Sequence, residues 1–366
     1  MNIIFFGSTD DSVIVLERIH QLSTVNLSIV AIITQPPRPI GRKQVLTSTP
    51  VEIWAKEKKI PVLVFPTDPV KPWLFAHENA VIKALAKCNA DLFISASFGQ
   101  KIPREAIKQA KYGGLNVHPS LLPRWRGADP VPWAILAGDK EIGISVVTLS
   151  EKFDQGVILA QQKIPLDPRD TSDPLRTKLF SLGASLLIKV LPKHLTDNCK
   201  HYQPSSTMQQ YNNLTISSYA RRFTREDGFI PWELIKASLE GKLFLKSTIQ
   251  QYSNITIVKA QEEFGRALTE KEPLGVVVER AFRALSPWPG VWTFINPTNP
   301  TNTTNPTNQK RLKIHKLHLD KGKLILDEVQ LEGKKPVSYQ QFSRAYQPRE
   351  TARSIRSGST ASNRPG

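Results

Sequence analysis

The sequence predicts a doubly wound, mostly parallel α/β domain followed by a smaller all-β domain. Three observations carry that expectation. The first half holds short, almost wholly apolar runs, helix-like segments lie between them, and β-branched stretches punctuated by turn residues follow residue 218. Residues 2–6 (NIIFF) read as a buried strand, and Gly7-Ser8-Thr9-Asp10 as a turn that caps a helix through Leu16. Further strands are expected at 27–34 (LSIVAIIT), 61–65, 91–97 (DLFISAS) and 115–118, with helices at 50–58 and 80–87. Apolar strands separated by helices form a sheet covered on both faces, whose ligands bind beyond the carboxyl ends of the strands.

A change of composition near residue 200 divides the chain into a first domain over 1–200, a linker over 201–217, a second domain over 218–347 and a disordered tail over 348–366. Apolar stretches at 275–278, 292–295, 312–319 and 323–331 are the expected strands of the second domain. The run NPTNPTNTTNPTN at 296–308 is low in complexity and is read as a loop.

The chain has 366 residues, 40% hydrophobic and 22% charged, which excludes wholesale disorder. Its net charge is +17, and residues 310–366 contribute +8 of that, with 13 Lys/Arg against 5 Asp/Glu. Such a bias favours a polyanionic partner such as nucleic acid. Two cysteines, Cys88 and Cys199, are too few for a disulfide framework or a Cys-rich zinc site. The N-terminus lacks the pattern of a signal peptide, and no apolar run is long enough to span a bilayer. The expectation is a soluble cytoplasmic protein with no membrane contact.

Gly7 stands alone in the first βα turn, so the GxGxxG of a dinucleotide fold is missing, as are GxxxxGK[ST], HExxH and paired CxxC. No metal is expected. What remains is dense: residues 113–156 read GGLNVHPSLLPRWRGADPVPWAILAGDKEIGISVVTLSEKFDQG. Asn116 and His118 stand two apart at the end of an expected strand, so both side chains leave the same face. A carboxamide can donate to a developing oxyanion, and an imidazole beside it can handle protons near neutral pH. Asp154, on a Phe-Asp-Gln-Gly turn, can orient the histidine or accept a proton. No serine or cysteine nucleophile stands in an activating context, which favours direct acyl transfer over a covalent acyl-enzyme.

Asn116-x-His118, the following Ser120-Leu121-Leu122-Pro123 and the later Asp154 together resemble the folate-dependent formyltransferases. The resemblance implies a formyl group carried by 10-formyltetrahydrofolate and passed to a primary amine. Asn116 and His118 would stabilise the oxyanion, and Asp154 would assist proton removal. Ser120, Leu121, Leu122 and Pro123 would lie against the folate, and Phe98 and Gly99 belong to a stretch, FGQKIP, that resembles the loop closing over its pterin.

Three further stretches resemble the tRNA-acting branch of that family: RWRG at 124–127, TQPPRPIGRK at 34–43, and the pair SPWPG at 286–290 and VQLEGKKP at 329–336. They imply that Arg38, Arg42 and Lys43 engage the acceptor end of initiator methionyl-tRNA for translation initiation. They also imply that residues 218–347 form an OB-like β-barrel that binds tRNA, in a chain acting as a monomer. The alternatives are a sugar-nucleotide N-formyltransferase and a non-catalytic tRNA-binding protein with a transferase-like core. The chain between Trp232 and Arg280 is longer than the family pattern, and the 296–308 run interrupts a barrel loop.

Overall fold

The structure, a computed structural model, describes residues 1–21, 27–41, 43–196, 218–245, 250–263, 272–296 and 309–346. The expected linker, residues 297–308 of the NPTN run, the tail and Arg42 lie outside the described residues.

The strands are β1 (Asn2–Phe6), β2 (Ser28–Thr34), β3 (Arg38–Ile40), β4 (Val45–Thr47), β5 (Val62–Val64), β6 (Leu92–Ala96), β7 (Gly114–His118), β8 (Arg126–Gly127), β9 (Glu141–Thr148) and β10 (Ile158–Pro165). The helices that accompany them are α1 (Asp10–His20), α2 (Pro50–Glu57), α3 (Glu78–Ala86), α4 (Arg104–Gln109), α5 (Pro130–Leu136) and α6 (Ser172–Thr196). The central sheet runs β10-β9-β7-β6-β1-β2-β5. Its five strands from β7 to β5 are parallel, and β9 and β10 close one side antiparallel.

Alternation along β1 explains why helices cover both faces. Ile3 and Phe5 pack with Val15, Leu16, Trp54 and Leu187 on one side, whereas Ile4 and Phe6 pack with Val81, Leu85 and Ala106 on the other. Strand order reverses between β1 and β6, which opens a crevice beyond their carboxyl ends. The β1–α1 turn is fastened there by Ser12, whose Oγ accepts from the Ser8 and Thr9 amides and donates to Ala96 O. A Cβ at Gly7 would stand 2.6 Å from Phe5 Cε1 and Ser12 Cβ, so only glycine lets the turn close.

Residues 38–40, within the 34–43 stretch expected as a loop, form one strand of a two-stranded ribbon. β3 pairs antiparallel with β4 around Gly41, in the left-handed region at φ +71°. Arg38, Pro39, Ile40, Lys43, Val45 and Leu46 are all exposed on it.

The C-terminal part continues with β11 (Tyr219–Ala220), β12 (Trp292–Ile295), β13 (Lys310–Asp320), β14 (Lys323–Leu331) and β15 (Val337–Ser338). Strands β12 to β15 form one antiparallel sheet in sequence order. The expectation of an all-β domain needs correction here. Helices α7 (Trp232–Leu239), α8 (Thr256–Glu263), α9 (Leu274–Leu285) and α10 (Tyr339–Tyr346) accompany the sheet. Residues 275–278, expected as a strand, lie within α9. Their β-branched character is overridden by a helical spacing that buries Leu274, Val277, Val278, Ala281 and Leu285 along one side. No helix among the described residues is long and apolar enough to cross a membrane.

The two parts are joined by specific bonds. α9 packs against α5, Ser172 Oγ donates to Ala284 O, and Arg283 donates to Asp170 O. Trp133 stacks on Phe223 at 4.8 Å between ring centres and donates its indole N–H to Arg221 O.

Candidate active site

The carboxyl end of β7 carries the site. Leu115 and Val117 face the core, so the intervening Asn116 and His118 emerge together on the opposite face. Registration against β9 sets Asn116 opposite Val147 and His118 opposite Ser145. The chain leaves β9 at Thr148 and returns through a tight turn. A Cβ at Gly156 would lie 1.8 Å from Thr148 O, so the turn requires glycine there. Asp154 sits in that turn at φ +54°, a left-handed conformation that Asp tolerates better than most side chains.

The turn brings Asp154 back to β7. Asn116 Nδ2 donates to Asp154 Oδ1 at 3.2 Å, and His118 Nδ1 lies 3.4 Å from the same oxygen. The other oxygen, Oδ2, accepts from the Gly127 backbone N–H at 2.9 Å. The His118 and Asp154 side chains are only 6% and 9% exposed. His118 Nε2 lies 2.9 Å from the Trp125 carbonyl, which can only accept, so Nε2 carries a proton. In the neutral ring that leaves Nδ1 as the basic nitrogen, facing the carboxylate.

Two of these partners carry no sequence signal, because they are backbone groups: the Trp125 carbonyl and the Gly127 N–H. Both belong to the 124–127 stretch, which is held rigidly. Arg124 makes a bidentate pair with Asp139 at 2.9 and 2.6 Å and stacks on the Trp125 ring, whose indole N–H donates to Asp139 as well. From the other side, Ser218 Oγ accepts from Trp125 N at 2.9 Å, Ser218 O accepts from Arg126 N, and β11 pairs with β8. Ser218 begins the expected second domain, and nothing in its local sequence announces this role.

The 120–123 stretch is spent largely on its own architecture. Ser120 Oγ donates to Arg124 O, and Ser145 Oγ donates to Ser120 O and accepts from Leu122 N. Gln161 donates to Leu122 O and to Ser145 Oγ. Leu122 is buried with Val147 and Ile158, while Leu121 and Pro123 are half-buried. The Phe98 ring is core, packed on Phe6 and Phe75, and its carbonyl accepts from Gln35 Nε2 at 2.8 Å. Gly99 is exposed at φ +77°. Next to it Gln100 is 3% exposed, and neither its carboxamide N nor its O has a partner among the described residues. Gln100 lies between Gly99 and Lys101 in the FGQKIP stretch, where its neighbours give no sign that its carboxamide is buried.

The structure thus brings Asn116, His118 and Asp154 together and sets Phe98 and Gly99 at the adjacent end of β6. Arg38 and Lys43 lie on the ribbon that leads away from Gln35.

A carboxamide, an imidazole and a carboxylate around one buried oxygen, at the end of a parallel strand, define a group-transfer enzyme of the formyl transferase type. The sequence model of that family, described as formyl transferase, matches residues 1–191. The methionyl-tRNA formyltransferase of Halalkalibacterium halodurans is 37% identical over 232 residues, covering 63% of this chain and 67% of the relative. That of Gluconobacter oxydans is 31% identical over 296 residues, covering 81% and 77%. The chain belongs to the methionyl-tRNA formyltransferase family. A solved phosphoribosylglycinamide formyltransferase from Bacillus halodurans is similar over 55% of this chain and 99% of its own, at 22% identity and a TM-score of 0.45.

Proposed function

We propose that the protein transfers the formyl group of 10-formyltetrahydrofolate to the α-amine of methionine on initiator methionyl-tRNA, in the cytoplasm and as a monomer. The observation that carries this reading is the convergence of Asn116 and His118 on Asp154 Oδ1. The amine nitrogen attacks the formyl carbon, the carbonyl becomes a tetrahedral oxyanion, and the bond to folate N10 breaks. Asn116 gives one amide N–H to Asp154 and has a second to offer the oxyanion. The attacking amine must lose a proton, and the pair formed by His118 Nδ1 and Asp154 Oδ1 is where a proton can be held. From there it is returned to N10 as the C–N bond breaks.

The folate part of the reading places the co-substrate against Phe98, Gly99, Ser120, Leu121, Leu122 and Pro123. The unpartnered carboxamide of Gln100 supports it, since a buried amide lacking both its bonds is satisfied by a pterin edge. The tRNA part assigns the ribbon with Arg38 and Lys43, together with Arg42 of the same sequence stretch, to the acceptor end. It reads the β12–β15 sheet as an OB-like docking domain, from the landmark stretches 286–290 and 329–336 at its edges. The test is formylation of charged initiator tRNA, with elongator methionyl-tRNA, free methionine and a nucleotide amino-sugar as controls. Turnover on the amino-sugar alone would transfer the reading to the sugar-nucleotide class.

A further inference from the structure

The basic ribbon is bonded to the rest of the chain through its two feet. Among the described residues, the hydrogen bonds of 36–48 stay inside the ribbon: the β3–β4 ladder, two from Gln44 to Gly41 O, and one from Thr47 Oγ1 to Val45 O. At one foot, Gln35 N donates to Ser8 Oγ at 3.1 Å, and the carboxamide reaches on, its Nε2 donating to Phe98 O at 2.8 Å. At the other, the Thr49 hydroxyl meets that of Thr34 at 2.7 Å. The threonines close the feet on each other, whereas Gln35 ties them to the loop that follows β6.

The shape of that loop is costly. Ser97 lies in the left-handed region at φ +48° and Gly99 at φ +77°, on either side of Phe98. Gln100 is buried with neither end of its carboxamide partnered among the described residues. Burying an amide without partners is unfavourable, so this shape competes with others in which the amide meets water. A donor that bonds Gln100 removes the cost and shifts the loop toward the shape described. Gln35 lies directly against that shape: a Cβ on Gly99 would stand 2.8 Å from its Nε2.

We infer that Gln35 is a positioning residue that couples the two substrates, an assignment that rests on the formyl-transfer reading above. Donor binding at Gln100 fixes the 97–100 loop, and the bond from Gln35 to Phe98 O passes that order to the foot of the ribbon. The ribbon then meets tRNA already set. Ordering that the first ligand has completed need not be repeated for the second, and the coupling is necessarily reciprocal.

The experiment measures the Kd of charged initiator tRNA by filter binding, with and without saturating 5-formyltetrahydrofolate, used in place of the donor so that no transfer occurs. The Kd of the folate is then measured by tryptophan fluorescence, with and without saturating tRNA. The folate should tighten tRNA about fivefold, the low end for couplings between sites, and tRNA should tighten the folate by the same factor. In Gln35→Met, which keeps the length but cannot donate, both factors should fall to about one. An Arg38→Ala/Lys43→Ala variant should weaken tRNA with and without folate alike, leaving the factor at about five. Should Gln35→Met fail to fold, Gln35→Glu serves instead, since its carboxylate only accepts and is repelled by the Phe98 carbonyl. A factor of one in the unaltered protein overturns the proposal. So does a factor retained in the Gln35 variant while the separate affinities weaken, which makes the bond merely structural. If either ligand alone does not bind, the formyl-transfer reading falls and the proposal with it; if both bind without coupling, the proposal alone falls.

Discussion

His118 turns Nδ1 toward Asp154 Oδ1 at 3.4 Å and commits Nε2 to the Trp125 carbonyl at 2.9 Å. This is the reverse of a serine-protease dyad, where the carboxylate binds Nδ1–H and the basic Nε2 faces the nucleophile. Here the basic nitrogen of the neutral ring and the carboxylate share one locus, and Asn116 borders it. Asn116 and His118 thus converge on the same carboxylate oxygen.

Asn116→Ala should lower turnover by about 10²–10³ while folate affinity stays near that of the unaltered protein, because the lost N–H acts on charge that develops only during the reaction. Steady-state kinetics alongside equilibrium folate binding checks this. A rise in KM with kcat intact would instead make Asn116 a binding group.

Asp154→Asn should reduce kcat by at least about 10²-fold with little change in Tm. Asn tolerates the left-handed backbone at φ +54°, and its Oδ1 can still accept from Gly127 N–H. What disappears is the charge that faces His118. Thermal melts separate this from an unfolded variant.

Gln100→Leu should act in two directions. Removing a buried carboxamide without partners stabilises the folded chain, so Tm should rise slightly. KM for the formyl donor should increase by about tenfold if the amide serves the pterin. An unchanged KM would leave Gln100 without a role in folate binding.

Replacing Arg38 and Lys43 together with Ala should weaken tRNA binding and flatten its dependence on salt. Each phosphate that the variant no longer neutralises lowers the slope of log K against log[salt] by about one. A filter-binding titration over several salt concentrations reads this directly, and an unchanged slope removes the ribbon from recognition.

Asp227 sets an acid limit on the C-terminal part. Burial pushes its carboxyl up, but bonds from Arg221, the Thr256 hydroxyl and the Thr224 amide, with the charge of Arg221, outweigh burial and hold it at about 2. The folded value lies below the unfolded value of about 3.9, so the stabilisation is present above that pH and is lost as pH falls toward 2. Asp227→Asn should cost on the order of 2 kcal/mol at neutral pH, and the difference from the unaltered protein should shrink in melts near pH 2.

The cluster of Asn116 and His118 was legible in the sequence because β7 obeys a period of two. Asn116 and His118 had to share a face because they stand two apart on one strand. Asp154 was legible through the turn that Gly156 demands and through resemblance. β1 and β6 stood out since both are buried along nearly their whole length and almost wholly apolar. The second half was harder: its strands and α9 are both rich in valine, and only the spacing of Leu274, Val277, Val278 and Ala281 separates a helix from a strand. The partners supplied by Trp125 and Gly127 are main-chain atoms, which any residue type possesses.

Ser218 holds the amide of Trp125 from 93 positions away in the chain. The carbonyl that orients His118 is therefore fastened by a residue made long after the histidine itself. A ribosome that has delivered only residues 1–196 has made Asn116, His118 and Asp154 without the brace on the Trp125 carbonyl. The nascent chain should acquire formyl-transfer activity late, once residues 218–220 have cleared the exit tunnel and paired with Arg126 and Gly127. A chain severed between its two halves would regain that activity only as fast as the fragments find each other, which makes catalysis a concentration-dependent report on their association.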